Sequence, residues 1–187
     1  MKTILIAYHS LTGGTRQMAD AAARGAEAQT AVQVHLLQAR EAGPNDVLNA
    51  DGYIFATPEN LAAMAGIMKD FFDRTYYPVL DRINGRPYAI LICAGSDGQN
   101  AARQIERIAT GWRLRAIADP IIVCTHAQNS RGDFCAEVDL CQRAPPVRGA
   151  WFCLIRRSDD GDFLMVPLQN SRSRLGTGQS TSQLERE

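Results

Sequence analysis

The stretch Ser10-Leu11-Thr12-Gly13-Gly14-Thr15 joins the first apolar run of the chain, residues 4–7, to a segment with helical periodicity. It is therefore predicted to be a turn between a first strand and a first helix. Such a turn gathers backbone N–H groups and three side-chain hydroxyls at the positive end of a helix dipole. We expect it to form a pocket for a phosphate group.

The length and composition of the chain are those of one soluble globular domain with a neutral surface. It has 187 residues, of which 45% are hydrophobic, and its formal net charge is zero. This balance gives no reason to expect a nucleic-acid or membrane partner. The longest apolar run, residues 88–94, is too short to span a bilayer, and residues 8–10 interrupt the N-terminal run before it reaches the length of a secretory signal. We expect a cytoplasmic protein.

The five cysteines do not suggest a disulfide framework, because their number is odd and the chain is not small. Cys93 and Cys124 lie in apolar runs and are expected to be reduced core residues. A metal site built from His126, Cys135 and Cys141 is disfavoured, since their spacings match no zinc pattern. We expect no metal.

Strands and helices alternate through residue 125. Five strands are predicted, at 3–8, 32–37, 53–56, 88–94 and 121–124. Three long helices are predicted, at 14–28, 64–75 and 98–112, and the second of them is expected to end at Tyr76-Tyr77-Pro78. A short helical turn is predicted at 46–48. The expected inner faces are Met18, Ala22, Gly25 and Ala26 on the first long helix, Met64, Ile67, Met68, Phe71, Phe72 and Thr75 on the second, and Ala101, Ile105, Ile108, Ala109 and Trp112 on the third. The pattern predicts an α/β domain, a doubly wound sheet of five parallel strands covered on both faces. The alternating second strand is expected at an edge, with His35 on the surface.

Three glycine- or hydroxyl-bearing turns follow strands, at residues 10–15, 57–60 and 94–99. In a doubly wound fold these turns meet at the edge of the sheet where ligands bind. The first turn contains no G-x-x-x-x-G-K-[ST] and no G-x-G-x-x-G, which excludes a nucleotide triphosphate loop and a dinucleotide fingerprint. It also lacks a cysteine, and strand one ends without acidic residues, which disfavours a cysteine phosphatase and a phospho-acceptor domain. Neutral hydroxyls and amides remain to hold a monoester phosphate.

The chain resembles a known family over about residues 2–125. The segment 8–15 is similar to the FMN phosphate loop of flavodoxins. The segments 51–58, 64–66, 68–69 and 72–74 are similar to flavodoxin-like NAD(P)H-dependent FMN reductases and quinone reductases, and 85–87 and 94–98 extend the match. The resemblance implies a flavodoxin-like sheet with strand order 2-1-3-4-5.

The resemblance also implies a flavin site with FMN as cofactor and NAD(P)H as co-substrate. The phosphate would be held by Ser10, Thr12, Gly13, Gly14 and Thr15. The ribityl chain and ring would lie along Pro58, Glu59, Asn60 and Leu61, and the pyrimidine edge of the ring against Ala94, Gly95, Ser96, Asp97 and Gly98. No side chain is expected to be catalytic, because the flavin carries the chemistry. For Glu59 and Asn60, an ordinary role in a turn fits the sequence as well as a flavin contact does.

Two observations favour a reductase with a small-molecule acceptor over an electron carrier. Carriers of this family are strongly acidic, whereas this chain is neutral. Carriers also tend to enclose the flavin between aromatic rings, whereas residues 57–63 and 93–99 contain no aromatic residue. A flavodoxin-type carrier and a flavin-free binding protein stay open as alternatives, and a homo-oligomer is compatible with the resemblance. His9 and His126 follow strands and are candidates to donate a proton, although a structural role fits both better.

The last third of the chain does not follow the pattern. Three segments are predicted: a flavodoxin-like domain at 1–128, an atypical C-terminal segment at 129–169 and a disordered tail at 170–187. A short helix at 133–143 and a hairpin of 149–155 with 162–168 are the only elements expected there. Two explanations fit the loss of periodicity: a family-specific addition, or an altered reading frame that replaced the last helix.

Overall fold

The computed structural model describes residues 1–29 and 31–125, together with the backbone of residues 153–157 and 163–167. In chain order the elements are β1 (Lys2–Tyr8), α1 (Gly14–Glu27), β2 (Val32–Gln38), α2 (Pro44–Asn49), β3 (Gly52–Asn60), β4 (Ala63–Met64), α3 (Gly66–Val79), β5 (Pro87–Ala94), α4 (Gln99–Gly111), β6 (Arg115–Ala116), β7 (Ile121–Cys124), β8 (Cys153–Arg157) and β9 (Phe163–Pro167). The five strands and three long helices predicted up to residue 125 are all present. The short helical turn expected at 46–48 is the core of α2.

The sheet has the predicted doubly wound order. Its main strands run β2-β1-β3-β5-β7, all parallel. Two strands of two residues extend it: β6 pairs with the start of β5, and β4 pairs antiparallel with the end of β3. The carboxyl ends of β1, β3 and β5 therefore lie side by side. This edge positions the candidate site.

The two faces of the sheet are packed with different residue types. On one face, α2, α3 and α4 enclose an aromatic core around Phe55, whose ring lies 5.1 Å from that of Phe72 and 6.3 Å from that of Trp112. On the other face, α1 covers Ile4, Ile6 and Leu91 with buried alanines. Alanines let a helix lie close to a sheet, so the start of α1 is held near the ends of the central strands.

Three details of the predicted helices differ from the structure. Ala19 and Ala23 are buried while Met18 and Gly25 are only half-buried, so the inner stripe of α1 is rotated by about one residue from the predicted one. Ile67 is 37% exposed because the neighbouring Met68 fills the core position. The third difference is at the end of α3, which continues to Val79 with Pro78 in its last turn, because proline there removes only one hydrogen bond.

The second turn is also different, because β3 does not end near Ala56. It runs on to Asn60 and turns back through Leu61 and Ala62 into β4, to which Met64 belongs. Both turn residues have positive φ, 51° and 59°, the pattern of a type I′ hairpin. Sequence reasoning missed this hairpin because the two loop residues are not Asn-Gly or another glycine-containing pair, which is the usual signal for such a turn.

Two arginines from the family-like segments stabilise the β2–α2 region. Arg86 donates to the carbonyl of Leu48 at 2.8 Å and to that of Ala50, beyond the last residues of α2. Arg74 donates to the carbonyls of Ala39 at 2.8 Å and Ala42 at 3.1 Å. Arg86 places a cation at the C-terminus of α2, which is favourable, and Arg74 links two carbonyls of the loop between β2 and α2. These arginines therefore have structural roles.

In the C-terminal third, β8 and β9 pair antiparallel, in agreement with the predicted hairpin. The other expectations for this region, a helix at 133–143 and disorder from 170, concern residues outside the described ones, as do His126, Cys135 and Cys141 of the disfavoured metal site. Among the described residues, no helix combines the length and apolar character needed to cross a membrane.

Candidate functional site

The first turn (residues 10–15) is a loop with open hydrogen-bond donors. Gly13 has φ +102°, and its N–H donates to the Ser10 hydroxyl at 3.1 Å. Helix α1 begins at Gly14 without a side-chain cap. The N–H groups of Leu11, Thr12, Gly14 and Thr15 have no acceptor in the part of the chain that the structure describes. The start of α1 therefore offers amide donors to an external anion.

The three hydroxyls of this turn lie at different depths. Thr12 is exposed, Ser10 is half-buried and already accepts the Gly13 bond, and Thr15 is 2% exposed. The Thr15 hydroxyl has no hydrogen-bond partner among the described residues. A buried hydroxyl of this kind is a polar group that a bound phosphate would satisfy.

Glycine at position 14 lets the first turn approach the end of β5. A Cβ built on Gly14 would lie 2.7 Å from Sγ of Cys93, closer than real Cβ atoms come to a neighbour. Cys93 and Cys124, expected in the core, are half-buried at the ends of β5 and β7. The close contact brings the first turn and the third turn (residues 94–98) to one place on the sheet edge.

The first turn itself contains no charged side chain, and the nearest ionisable groups are the neighbouring residues Arg16 and His9. Arg16 is the nearest cation in sequence, but its guanidinium bonds to Asp20 at 2.9 Å and to the Tyr8 hydroxyl at 2.8 Å. Burial, and secondarily the charge of Arg40, lowers the pKa of His9. The His9 imidazole is therefore neutral at pH 7, which weakens its candidacy as a proton donor.

The hairpin (residues 57–64) and the third turn are joined by Glu59. Its Oε2 accepts a hydrogen bond from the N–H of Gly98 at 2.6 Å, and its Oε1 accepts one from the N–H of Ala101 at 3.2 Å. Gly98 precedes the first residue of α4 and has no side chain to cap the helix. Glu59 therefore supplies, from a distant strand, the acceptor that an N-terminal cap normally provides.

Two further side chains of α4 hold the hairpin. Asn100 donates to the carbonyl of Ala62 at the tip, and Gln104 accepts from the N–H of Met64 at 3.1 Å. Within the hairpin, the Thr57 hydroxyl accepts from the N–H of Ala65 at 3.2 Å. Sequence reasoning missed Asn100 and Gln104, because only the unforeseen hairpin gives them a partner.

The third turn is tightly packed at its end and exposed at its centre. Gly98 has φ +75°, and a Cβ there would lie 2.5 Å from Cγ2 of Ile122. Residues 95–97 are exposed, and the carbonyl of Ser96 accepts a hydrogen bond from the Cys124 thiol at 2.8 Å. Beyond β7, the N–H of Thr125 bonds to the carbonyl of Ala94 at 2.8 Å. The N–H groups of residues 95–97 have no acceptor among the described residues, while the two ends of the turn are anchored by hydrogen bonds.

All the predicted site residues lie along one sheet edge, on the first turn, the hairpin and the third turn. Their roles in the structure are not equal. The first turn leaves donors open, the carboxylate of Glu59 is engaged by α4, and Leu61 is fully exposed at 102% of its reference area. Leu11, on the first turn, is also exposed, at 78%.

Comparison with known proteins agrees with this arrangement. Residues 1–129 match the family model of NADPH-dependent FMN reductases, more than two thirds of the chain. The chain belongs to the NADPH-dependent FMN reductase family. The matched residues include the first turn, the hairpin and the third turn, and they end close to where the sequence pattern fails.

Two curated relatives of this family member are similar to it over part of their length. An NAD(P)H dehydrogenase (quinone) of Acidithiobacillus ferrooxidans is 38% identical over 40% of this chain and 48% of its own. A flavodoxin of Aquifex aeolicus is 35% identical over 46% of both chains. The matches therefore span about half the length of these relatives.

Solved structures share the fold. An archaeal flavodoxin has a TM-score of 0.57 at 21% identity, over 67% of this chain and 86% of its own. A WrbA-like protein of Agrobacterium tumefaciens has a TM-score of 0.56 at 21% identity, over 72% of this chain and 88% of its own. The α/β domain of this reductase-family chain is thus a flavodoxin-like fold.

Proposed function

We propose that the protein is an FMN-binding oxidoreductase that transfers reducing equivalents from NAD(P)H to a small acceptor of the quinone type. The observation that carries the proposal is the first turn, a neutral loop with open amide donors at the start of α1. Membership of the NADPH-dependent FMN reductase family supports the same cofactor and reductant.

The residues present fit a flavin mononucleotide. The amides of residues 11, 12, 14 and 15 and the Thr15 hydroxyl suit a phosphate monoester, and no carboxylate lies in the turn to repel it. The exposed amides of residues 95–97 suit the oxygen-bearing edge of the ring. When bound, the flavin supplies the hydride and electron chemistry, and the chain supplies binding and orientation.

An open ring face supports a reductase more than an electron carrier. The turns that would flank the ring contain no aromatic residue, and the exposed Leu11 and Leu61 offer only aliphatic contact. A planar nicotinamide or quinone would therefore have room to stack. The flavodoxin-like carrier is the second candidate, favoured by the similarity to the Aquifex flavodoxin.

Binding of FMN is tested with Thr12→Glu. Thr12 is exposed, so the substitution should leave folding intact while it places a negative charge against the phosphate. We expect FMN affinity measured by fluorescence quenching to fall more than about 100-fold, which corresponds to about 2.7 kcal/mol. Thr110→Glu, at an exposed threonine of α4, is the matched control and should bind FMN normally.

Three results would contradict parts of the proposal. Unchanged affinity in Thr12→Glu would remove the phosphate assignment. Absence of FMN binding by the unmodified protein would leave a flavin-free binding protein. Binding of FMN without NAD(P)H oxidation in the presence of a quinone, but with one-electron exchange with a redox protein, would favour the carrier.

A further inference from the structure

The carboxylate of Glu59 joins two segments that are distant in sequence. It accepts hydrogen bonds from the backbone N–H groups of Gly98 and Ala101, at 2.6 and 3.2 Å, and it has no basic side-chain partner among the described residues. Within the described part of the chain, amide dipoles at the start of α4 are therefore all that balances its negative charge. Hydrogen bonds to an ionised acceptor are about twice as strong as neutral ones, so the contact is rigid.

Among the described residues, the backbone at this junction has no local cap, and side chains hold it instead. Gly98 cannot cap α4, since it lacks a side chain, and its positive φ and close packing exclude other residues. On the hairpin side, Leu61 and Ala62 hold a left-handed conformation that is costly for residues other than glycine. Asn100 and Gln104 then hold the hairpin against α4. The hairpin and the third turn thus form one unit with Glu59 at its centre.

We propose that Glu59 is a positioning residue for the flavin ring. By holding Gly98 against β3, it fixes the direction of the amides at 95–97, and it places a negative charge directly behind the turn against which the pyrimidine edge of the ring is proposed to lie. The inference rests on the proposed function, because it assumes that the ring lies between the hairpin and the third turn.

Two effects are expected, and they separate position from charge. Glu59→Ala removes the acceptor, so the third turn loosens and affinity should fall about tenfold for both FMN and riboflavin, which has no phosphate. Glu59→Gln removes the charge but keeps one acceptor oxygen, enough for the N–H of Gly98 or of Ala101 and not for both. It should favour reduced over oxidised FMN about tenfold, a rise in the two-electron midpoint potential of about 30 mV.

The experiment measures FMN and riboflavin affinity, the midpoint potential, and amide hydrogen exchange at Gly98 and Ala101 in the flavin-free protein. Glu106→Gln is the matched control, because it also removes one negative charge. Glu106 lies on α4, about 12 Å from Gly98 along the helix axis at 1.5 Å per residue. The control should change neither the affinities nor the potential. Faster exchange at Gly98 and Ala101 in Glu59→Ala is expected whether or not FMN binds.

The results distinguish this inference from the proposed function. If the unmodified protein binds no FMN, the proposed function fails and the positioning role with it, while the exchange data still report whether Glu59 holds α4. If FMN binds but Glu59→Gln leaves the potential unchanged, the charge effect is wrong. If Glu59→Ala leaves both affinities unchanged, the positioning role is overturned. A lower affinity for FMN with an unchanged affinity for riboflavin would overturn it as well, because riboflavin carries the same ring without the phosphate.

Discussion

The first turn and the hairpin-third-turn unit share one sheet edge but treat their polar groups in opposite ways. In the first turn, four backbone N–H groups have no acceptor within the described residues. In the other unit, Glu59, Asn100 and Gln104 engage the backbone groups at the junction. The first turn therefore has donors available for a ligand, whereas the other unit has its backbone groups already engaged. The proposed flavin site would use both, since open donors bind well only beside a rigid frame.

The largest expected effect is at Gly98, where the frame is packed most tightly. Gly98→Ala should lower the free energy of unfolding by about 2–4 kcal/mol. The loss has two causes: alanine is strained at a positive φ, and its Cβ would lie 2.5 Å from Cγ2 of Ile122. Gly85→Ala is the control, because Gly85 has a similar φ of +76° but no atom within 4 Å of its added Cβ. Denaturant unfolding should show a loss of only about 1–2 kcal/mol for the control. Equal losses would mean that packing at Gly98 is not the cause.

A smaller effect, of opposite sign, is expected at the hairpin tip. Ala62→Gly should raise the free energy of unfolding by roughly 0.5–1 kcal/mol, because glycine adopts a positive φ without strain. The expected gain is limited by the greater entropy of glycine in the unfolded chain. Thermal and denaturant unfolding measure it, with Ala118→Gly, away from the hairpin, as a control that should not stabilise. A loss of stability in Ala62→Gly would show that the tip is not strained.

The smallest effect concerns pH at the first turn. The pKa of His9 is lowered by burial and by Arg40, so the unfolded chain binds a proton at His9 more readily than the folded one. Stability should therefore be lost as pH falls below the ordinary value of about 6.5 and through the lower folded value. His9→Gln should flatten this part of a stability-pH profile. An unchanged slope in His9→Gln would place the pH dependence elsewhere.

Much of the fold followed from local patterns. Continuous apolar runs predicted buried parallel strands, and the spacing of Met68, Phe71 and Phe72 predicted the core face of α3. The glycines and hydroxyls of residues 10–15 predicted the open turn, because a loop that must expose its amides needs residues that tolerate unusual φ or offer short polar side chains. These features depend on neighbours in sequence, so the sequence alone was sufficient for them.

Other features were decided only by tertiary structure. The role of Glu59 depends on Gly98 and Ala101, about 40 positions away, and the hairpin through Leu61 and Ala62 has no local turn signal. Nothing near Glu59 in the sequence distinguishes a carboxylate that faces a ligand from one that caps a distant helix. The sequence by itself predicted which edge carries the candidate site and which turn has open donors. Long-range hydrogen bonds, which only the folded chain brings into reach, decided which polar groups at that edge are already engaged.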